Sequence, residues 1–126
     1  MFKDSHAFSG FSVKDMAKTK EFYGQTLGLD VKETPMGLEL NTAGGNPIYV
    51  YQKDDHQPAT YTMLNFPVDD IDKAVKDLKA KGATFEHYEG MTDGDGVARG
   101  IAANMGPDIA WFKDPDGNIL SVLHSA

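Results

Sequence analysis

The stretch FSVKD at residues 11–15 is echoed 55 positions later by FPVDD at residues 66–70. In both stretches alternating apolar residues, which are typical of a strand, run into an aspartate. A segment with helical spacing follows each aspartate. Two such copies with short tails nearly fill the 126 residues. The repeat therefore predicts two similar modules.

The first module reads as a strand, a helix and three further strands. Asp15 is a plausible N-cap, because its short carboxylate can accept a hydrogen bond from the first turn of a helix. Met16, Thr19, Phe22, Tyr23 and Leu27 follow at helical spacing, and Gly28 favours the end of that helix. The predicted strands are residues 7–13, Leu29–Thr34, Met36–Leu40 and Pro47–Gln52.

The second module repeats this order after a polar connector at residues 53–60. Asp70 is the corresponding N-cap, and an apolar stripe from Ile71 to Leu78 predicts a helix that ends near Gly82. The predicted strands are Tyr61–Val68, Thr84–Tyr88, Gly100–Asn104, Ile109–Lys113 and Ile119–Leu123. We therefore expect an α+β protein with two β-α-β-β-β modules, at residues 1–58 and 59–126.

Composition excludes several classes of function. The chain has a mass of 13.8 kDa, a formal net charge of −7 and no cysteine. Nucleic acid and anionic membranes require clustered basic residues, so neither is an expected partner. Without cysteine there is no disulfide, thiolate metal site or thiol nucleophile. No stretch approaches the roughly 20 apolar residues of a membrane span, and we expect a cytoplasmic protein.

Two segments resemble one known superfamily. The opening F-S-V-K-D…F-Y…L-G-L-D-V at residues 11–31, together with W-F-K-D-P-D-G-N-I-L-S-V-L at residues 111–123, is similar to the glyoxalase, bleomycin-resistance and extradiol-dioxygenase superfamily. This superfamily is also called the vicinal oxygen chelate fold. The resemblance implies two β-α-β-β-β modules that form a curled mixed sheet around a cleft, often in a homodimer. Its enzymes hold a divalent metal there with four His or Glu side chains, from the first and last strand of each module.

The positions that the resemblance assigns to these ligands carry other residues here. The first strands supply Phe8 and Met63, and the last strands supply Tyr49 and Ser121. The register of Tyr49 depends on loop lengths, and Tyr51 is the alternative. None of these side chains in neutral form is a usual ligand of a divalent cation. We therefore expect no metal site and no cofactor.

The same resemblance suggests a small-molecule site where the metal would have been. Aromatic and apolar side chains with a few polar groups are the usual lining of such a pocket. The alternative is that these side chains pack the cleft shut. The predicted ligand-binding residues are Phe8, Ser12, Tyr49, Met63, Asn65, Ile109, Trp111, Ile119 and Ser121.

No catalytic residue is predicted. His56, His87 and His124 read as ordinary surface histidines, whereas His6 shares strand parity with Phe8 and could face the cleft mouth. The glycine-rich residues 89–100 match neither a phosphate-binding loop nor a calcium loop, and they read as a mobile connection or a lid over the site.

The predicted function is metal-free binding of a small, partly apolar molecule rather than catalysis. Drug sequestration is the role that such binding would serve. Three alternatives stay open: a metal-dependent lyase or dioxygenase of the same superfamily, a cofactor-free enzyme with His6 as its base, and an interaction module without a pocket. The expected partners are a small-molecule ligand and a second copy of the chain in a homodimer.

Overall fold

Eight strands and two helices follow one another in the same order in the two halves of the chain. The computed structural model describes residues 1–126, which divide into two compact units, Met1–Gln57 and Pro58–Ala126. The first unit contains β1 (Gly10–Val13), α1 (Met16–Glu21), β2 (Asp30–Thr34), β3 (Gly37–Asn41) and β4 (Ile48–Gln52). The second contains β5 (Thr62–Pro67), α2 (Ile71–Ala80), β6 (Val97–Arg99), β7 (Asp108–Lys113) and β8 (Ile119–His124). The predicted α+β class and the two β-α-β-β-β modules are confirmed.

The two units share one sheet topology. Their strand orders are β1-β4-β3-β2 and β5-β8-β7-β6. In each sheet the first strand pairs in parallel with the last strand of its unit, and the remaining pairs are antiparallel. Gly10 lies opposite Tyr49 in the first unit, and Asn65, its counterpart in the repeat, lies opposite Ser121 in the second. Tyr49 and Ser121 therefore occupy equivalent positions in the two sheets.

Both helices begin at the predicted aspartates. The carboxylate of Asp15 accepts a hydrogen bond from the backbone N–H of Lys18 at 3.0 Å, and that of Asp70 accepts one from Lys73 at 3.1 Å. The first helix continues beyond α1 as a single π-helical turn, Phe22–Thr26. It ends near Gly28, whose φ of 73° suits a residue without a side chain. No helix has both the length and the apolar character needed to cross a membrane.

The core of each unit lies on one face of its sheet. In the first unit the buried residues of the strands alternate with more exposed ones, and Phe11 of β1 contacts the fully buried Tyr23 of the helical segment. In the second unit α2 packs on β7 and β8 and buries Ile71 and Val75. The buried strand residues are Val13, Leu38, Leu40 and Val50 in the first unit and Val97, Ala110, Phe112, Leu120 and Val122 in the second. The opposite face of each sheet does not belong to this core.

Two predicted strands of the second unit are wrong. Residues 84–88 form only one bridge, between Phe85 and Phe112. Residues 100–104 form turns, because the backbone N–H of Ile101 donates to the Asp108 carboxylate and Asn104 has a φ of 54°. The second strand of this unit is β6, which lies before the predicted segment at residues 100–104. In the first unit β1 begins at Gly10, three residues later than predicted.

The glycine-rich segment before β6 is anchored by charge and packing. The guanidinium of Arg99 lies 2.6 Å from the Asp72 carboxylate of α2 and 3.0 Å from that of Asp93. The hydrogen bond from the backbone N–H of Val97 and the bonds from Arg99 lower the pKa of Asp93. The hydrogen bonds from Arg99 lower the pKa of Asp72. Gly96 is buried next to Phe85. These contacts connect the segment to α2 and to Phe85.

Candidate functional site

Two of the predicted site residues, Ser12 and Tyr49, lie on the face of the first sheet that is opposite its core. Successive residues of a strand point to opposite faces, so Gly10 and Ser12 face away from the buried Val13. Tyr49 of β4 pairs with Gly10 on one side and with Glu39 of β3 on the other. Residues that lie directly opposite each other in neighbouring strands share a face, and Tyr49 and Glu39 are therefore neighbours on it.

A pocket of about 240 Å³ lies at one end of this face. Two of the predicted residues, Phe8 and Tyr49, line it, and their ring centroids are 6.5 Å apart. The hydroxyl of Tyr49 lies 3.1 Å from that of Thr34, while Phe8 is 67% exposed. The full lining is His6, Phe8, Glu39, Asn46, Pro47 and Tyr49. All six residues belong to the first unit.

Sequence reasoning missed Glu39, Asn46 and Pro47 because no local spacing connects them with Phe8. They come from β3 and from the turn before β4, and only the strand register brings them to Tyr49. The available signal was the alternation of β3, where Glu39 interrupts the buried pair Leu38 and Leu40 and must face the other way.

Ser12 and His56 form a polar pair in the same unit. The hydroxyl oxygen of Ser12 lies 2.6 Å from Nδ1 of His56. The other ring nitrogen, Nε2, is buried and has no hydrogen-bond partner. His56, which the sequence places in a polar connector, is therefore half-buried and in contact with β1. The two residues are 44 positions apart, so no local pattern could indicate the contact.

A second group of predicted residues lies in the second unit around Ser121. Ser121 is fully buried, and its hydroxyl donates to the amide oxygen of Asn65 at 2.6 Å. Trp111 lies opposite Ser121 across β7 and β8, so the two share a face. The indole N–H of Trp111 donates to the hydroxyl of Thr62 at 3.0 Å, and its ring meets that of Tyr88 edge-on at 5.4 Å. Trp111 is therefore held in one orientation by two side chains.

The remaining predicted residues of the second unit are apolar and half-buried. Ile109 and Ile119 follow the alternation of β7 and β8 and lie on the face of Trp111. Met63 lies at an irregularity in β5, where the pairing with β8 shifts between Thr62 and Leu64. Alternation along β5 therefore does not determine the face of Met63.

The donor set at the four superfamily ligand positions does not fit a divalent metal. The equivalence of Tyr49 with Ser121 in the two sheets supports Tyr49, rather than Tyr51, at the fourth position. A phenyl ring, a thioether and a phenol supply no ligand that zinc, iron or calcium prefers, and the hydroxyl of Ser121 already donates to Asn65. No group of three or more His, Asp or Glu side chains is arranged to hold a metal ion.

Comparisons with known proteins agree with this architecture. The family model of the Glyoxalase/Bleomycin resistance protein/Dioxygenase superfamily matches residues 6–122. The protein YraH of Bacillus subtilis is 26% identical, over 87% of this chain and 90% of its own. A superfamily member from Sphaerobacter thermophilus is 24% identical with a TM-score of 0.70, over 99% of this chain and 100% of its own. TnmS3, an antibiotic binding protein from a Streptomyces species, is 21% identical with a TM-score of 0.68, over 100% of this chain and 99% of its own. Because the family model spans nearly the whole sequence, the chain belongs to the Glyoxalase/Bleomycin resistance protein/Dioxygenase superfamily.

Proposed function

We propose that this protein binds a small, partly apolar molecule, without a divalent metal and without catalysing a reaction on it. The observation that carries the proposal is the pocket of the first unit, which is lined by the aromatic rings of Phe8 and Tyr49. The superfamily resemblance assigns these two positions to metal ligands. Rings at these positions replace metal coordination with apolar contact area, which is the main source of affinity in small-molecule pockets. Sequestration of a drug-like compound is the biological role that we propose.

The antibiotic-binding relative supports this role, since it shares the fold over the full chain. The metal-dependent alternative has no donor set on which to rest. The exposed amide of Asn65 and the ring of Trp111 are the groups of the second unit that we propose to contact a ligand, together with Met63, Ile109, Ile119 and Ser121. In the first unit Ser12 completes the proposed set with Phe8 and Tyr49.

The metal-free part of the proposal predicts the composition of the purified protein. Protein prepared without chelator should contain only substoichiometric zinc, nickel, iron or manganese by elemental analysis, because no donor set holds these ions. Its melting temperature should be the same with and without EDTA. About one metal ion per chain that is lost together with stability in EDTA would contradict the proposal.

The binding part predicts that an apolar ligand stabilises the protein through the two aromatic positions. In a screen of aromatic and polyketide-like compounds by thermal shift, a ligand at about 100 times its Kd should stabilise the fold by roughly 2.7 kcal/mol. Tyr49→Ala should weaken the binding of that ligand. Tyr61→Ala, which removes an exposed tyrosine outside the proposed set, should leave the binding unchanged. The emission of Trp111, the only tryptophan, reports separately whether the second unit takes part. The absence of any binder, or affinity that is insensitive to Tyr49→Ala, would refute the proposal.

A further inference from the structure

The pocket of the first unit has the lining of a site for an organic cation. It combines the rings of Phe8 and Tyr49 with the carboxylate of Glu39. We infer that the ligand carries a positively charged ammonium or amidinium group next to its apolar part, and that Glu39 and the two rings bind this group. The inference rests on the proposed binding function and adds the chemical class of the ligand.

Glu39 forms no salt bridge within the chain. Lys32 lies opposite Glu39 across β2 and β3, but the two side chains form no ion pair. Lys20, by contrast, pairs with the neighbouring Glu33 at 2.8 Å. Glu39 is half-buried, and water screens a charge less well there than on the open surface. The electrostatic attraction of a ligand cation to Glu39 would therefore be stronger than its attraction to the exposed carboxylates of the chain.

The two rings supply the second part of a cation site. Their centroids are 6.5 Å apart and their planes are inclined by 40°, so that they form two walls of the pocket. The face of an aromatic ring carries partial negative charge, which attracts a cation within about 6 Å of its centre. Phe8 remains 67% exposed although it is a large apolar side chain, which leaves its ring available to a ligand.

The other polar groups of the pocket include hydrogen-bond acceptors beside the Glu39 carboxylate. The amide nitrogen of Asn46 donates one of its two N–H groups to the backbone oxygen of Ala7 at 2.7 Å, and its carbonyl oxygen is an acceptor. The hydroxyl of Tyr49 shares a hydrogen bond with Thr34. These acceptors complement a ligand that presents N–H groups next to its positive charge.

The volume of the pocket limits the size of the group it can hold. At about 240 Å³ it is smaller than the roughly 300–1,000 Å³ of sites that enclose a drug-sized ligand. It therefore fits one ring with an attached cationic group, or the corresponding end of a larger compound.

A set of probes of matched shape tests the inference. We would titrate the protein with (4-hydroxyphenyl)trimethylammonium, with its neutral isostere 4-tert-butylphenol and with the anion 4-hydroxybenzenesulfonate, and follow the backbone amides by NMR. The cation should shift the amides of residues 6–8, 39 and 46–49 and bind about tenfold more tightly than the neutral isostere. Glu39→Gln should remove most of this preference, so that the cation and 4-tert-butylphenol bind the variant with similar affinity. Glu21→Gln, an exposed carboxylate on the helix, serves as the matched control and should leave the preference intact.

The outcomes separate this inference from the proposed function. Equal binding of the cation and the neutral isostere, tighter binding of the sulfonate, or a cation preference that survives Glu39→Gln would overturn the inference and leave the binding function standing. Failure of the cation to bind while another compound of the screen occupies the pocket would do the same. If no compound binds at all, both the inference and the proposed function are wrong.

Discussion

The imidazole of His56 illustrates how much a single buried polar atom can cost. Its Nδ1 lies 2.6 Å from the Ser12 hydroxyl, whereas its Nε2 is enclosed without a partner. A buried polar group without a hydrogen bond costs about 1–3 kcal/mol. The contact with Ser12 is therefore the hydrogen bond on which the position of this ring depends.

Loss of the Ser12 hydroxyl should leave both ring nitrogens of His56 without a protein partner. We expect Ser12→Ala to lower the free energy of unfolding by about 1 kcal/mol, because the pair is only partly buried and water can replace part of the lost bond. Urea denaturation measures this change. Ser9→Ala, at an exposed serine of the same segment, is the control and should have no effect. Equal stability of the two variants would mean that the Ser12–His56 contact contributes nothing.

At the scale of the elements, the hairpin between β2 and β3 depends on one glycine. Gly37 has a φ of 152°, and a Cβ built there would collide with the backbone oxygen of Val50 in the neighbouring strand β4. β3 lies between β2 and β4, and Gly37 pairs with Thr34 of β2 on its other side. Only a residue without a side chain allows that approach.

Substitution of Gly37 should therefore separate β3 from β4. We expect Gly37→Ala to lower the free energy of unfolding by about 3 kcal/mol or more, as strained backbone positions do. Gly45→Ala is the matched control, since its Cβ would meet nothing within 4 Å and its φ is ordinary. Its effect should stay within about 0.5 kcal/mol. Chemical denaturation of both variants provides the comparison, and a Gly37→Ala protein as stable as Gly45→Ala would contradict the assigned register.

The elements that the sequence predicted well have local causes. Asp15 and Asp70 cap the helices through hydrogen bonds to residues only three positions away, so the pattern alone is sufficient. The false strand at residues 84–88 shows the opposite case. Its alternation resembles that of a strand, but its backbone pairs with β7 only at one bridge, between Phe85 and Phe112, and at the hydrogen bond from the N–H of Glu86 to the backbone oxygen of Trp111.

The site shows the same division between local and distant causes. The repeat and the superfamily resemblance led to Phe8 and Tyr49, which the structure brings together in one pocket. Glu39 and the Ser12–His56 pair escaped prediction, because their contacts depend on strand register and on residues 44 positions apart. Both contacts depend on which residues of neighbouring segments lie opposite each other, and the sequence pattern alone does not give this pairing.

At the scale of the whole molecule, an acidic chain with paired carboxylates should lose stability in acid. The formal net charge is −7, and the pKa values of Asp72 and Asp93 are lowered in the folded state. A carboxyl whose pKa is lower in the folded than in the unfolded state stabilises the fold above its unfolded pKa. That contribution disappears as the pH falls through the folded pKa.

The free energy of unfolding should therefore decrease between about pH 5 and pH 2. In Asp93→Asn the decrease should be smaller, because the variant no longer carries a carboxyl that must be protonated against the bonds from Val97 and Arg99. Asp54→Asn, at an exposed carboxyl without an ion pair, should retain the full decrease. Urea unfolding at several pH values measures the slopes. Parallel slopes for Asp93→Asn and the parent would exclude Asp93 as a source of acid sensitivity.

The order of strands in the two sheets has a consequence for how the protein is made. β4 and β8 each lie inside a sheet, and each is the last strand of its unit to leave the ribosome. The first unit can insert β4 while the second is still being translated, whereas β5, β6 and β7 keep open edges until β8 has emerged. Open strand edges are where nascent chains associate wrongly. A chain truncated before Ile119 would therefore lack a central strand of its second sheet, and β5 would lose its only neighbour.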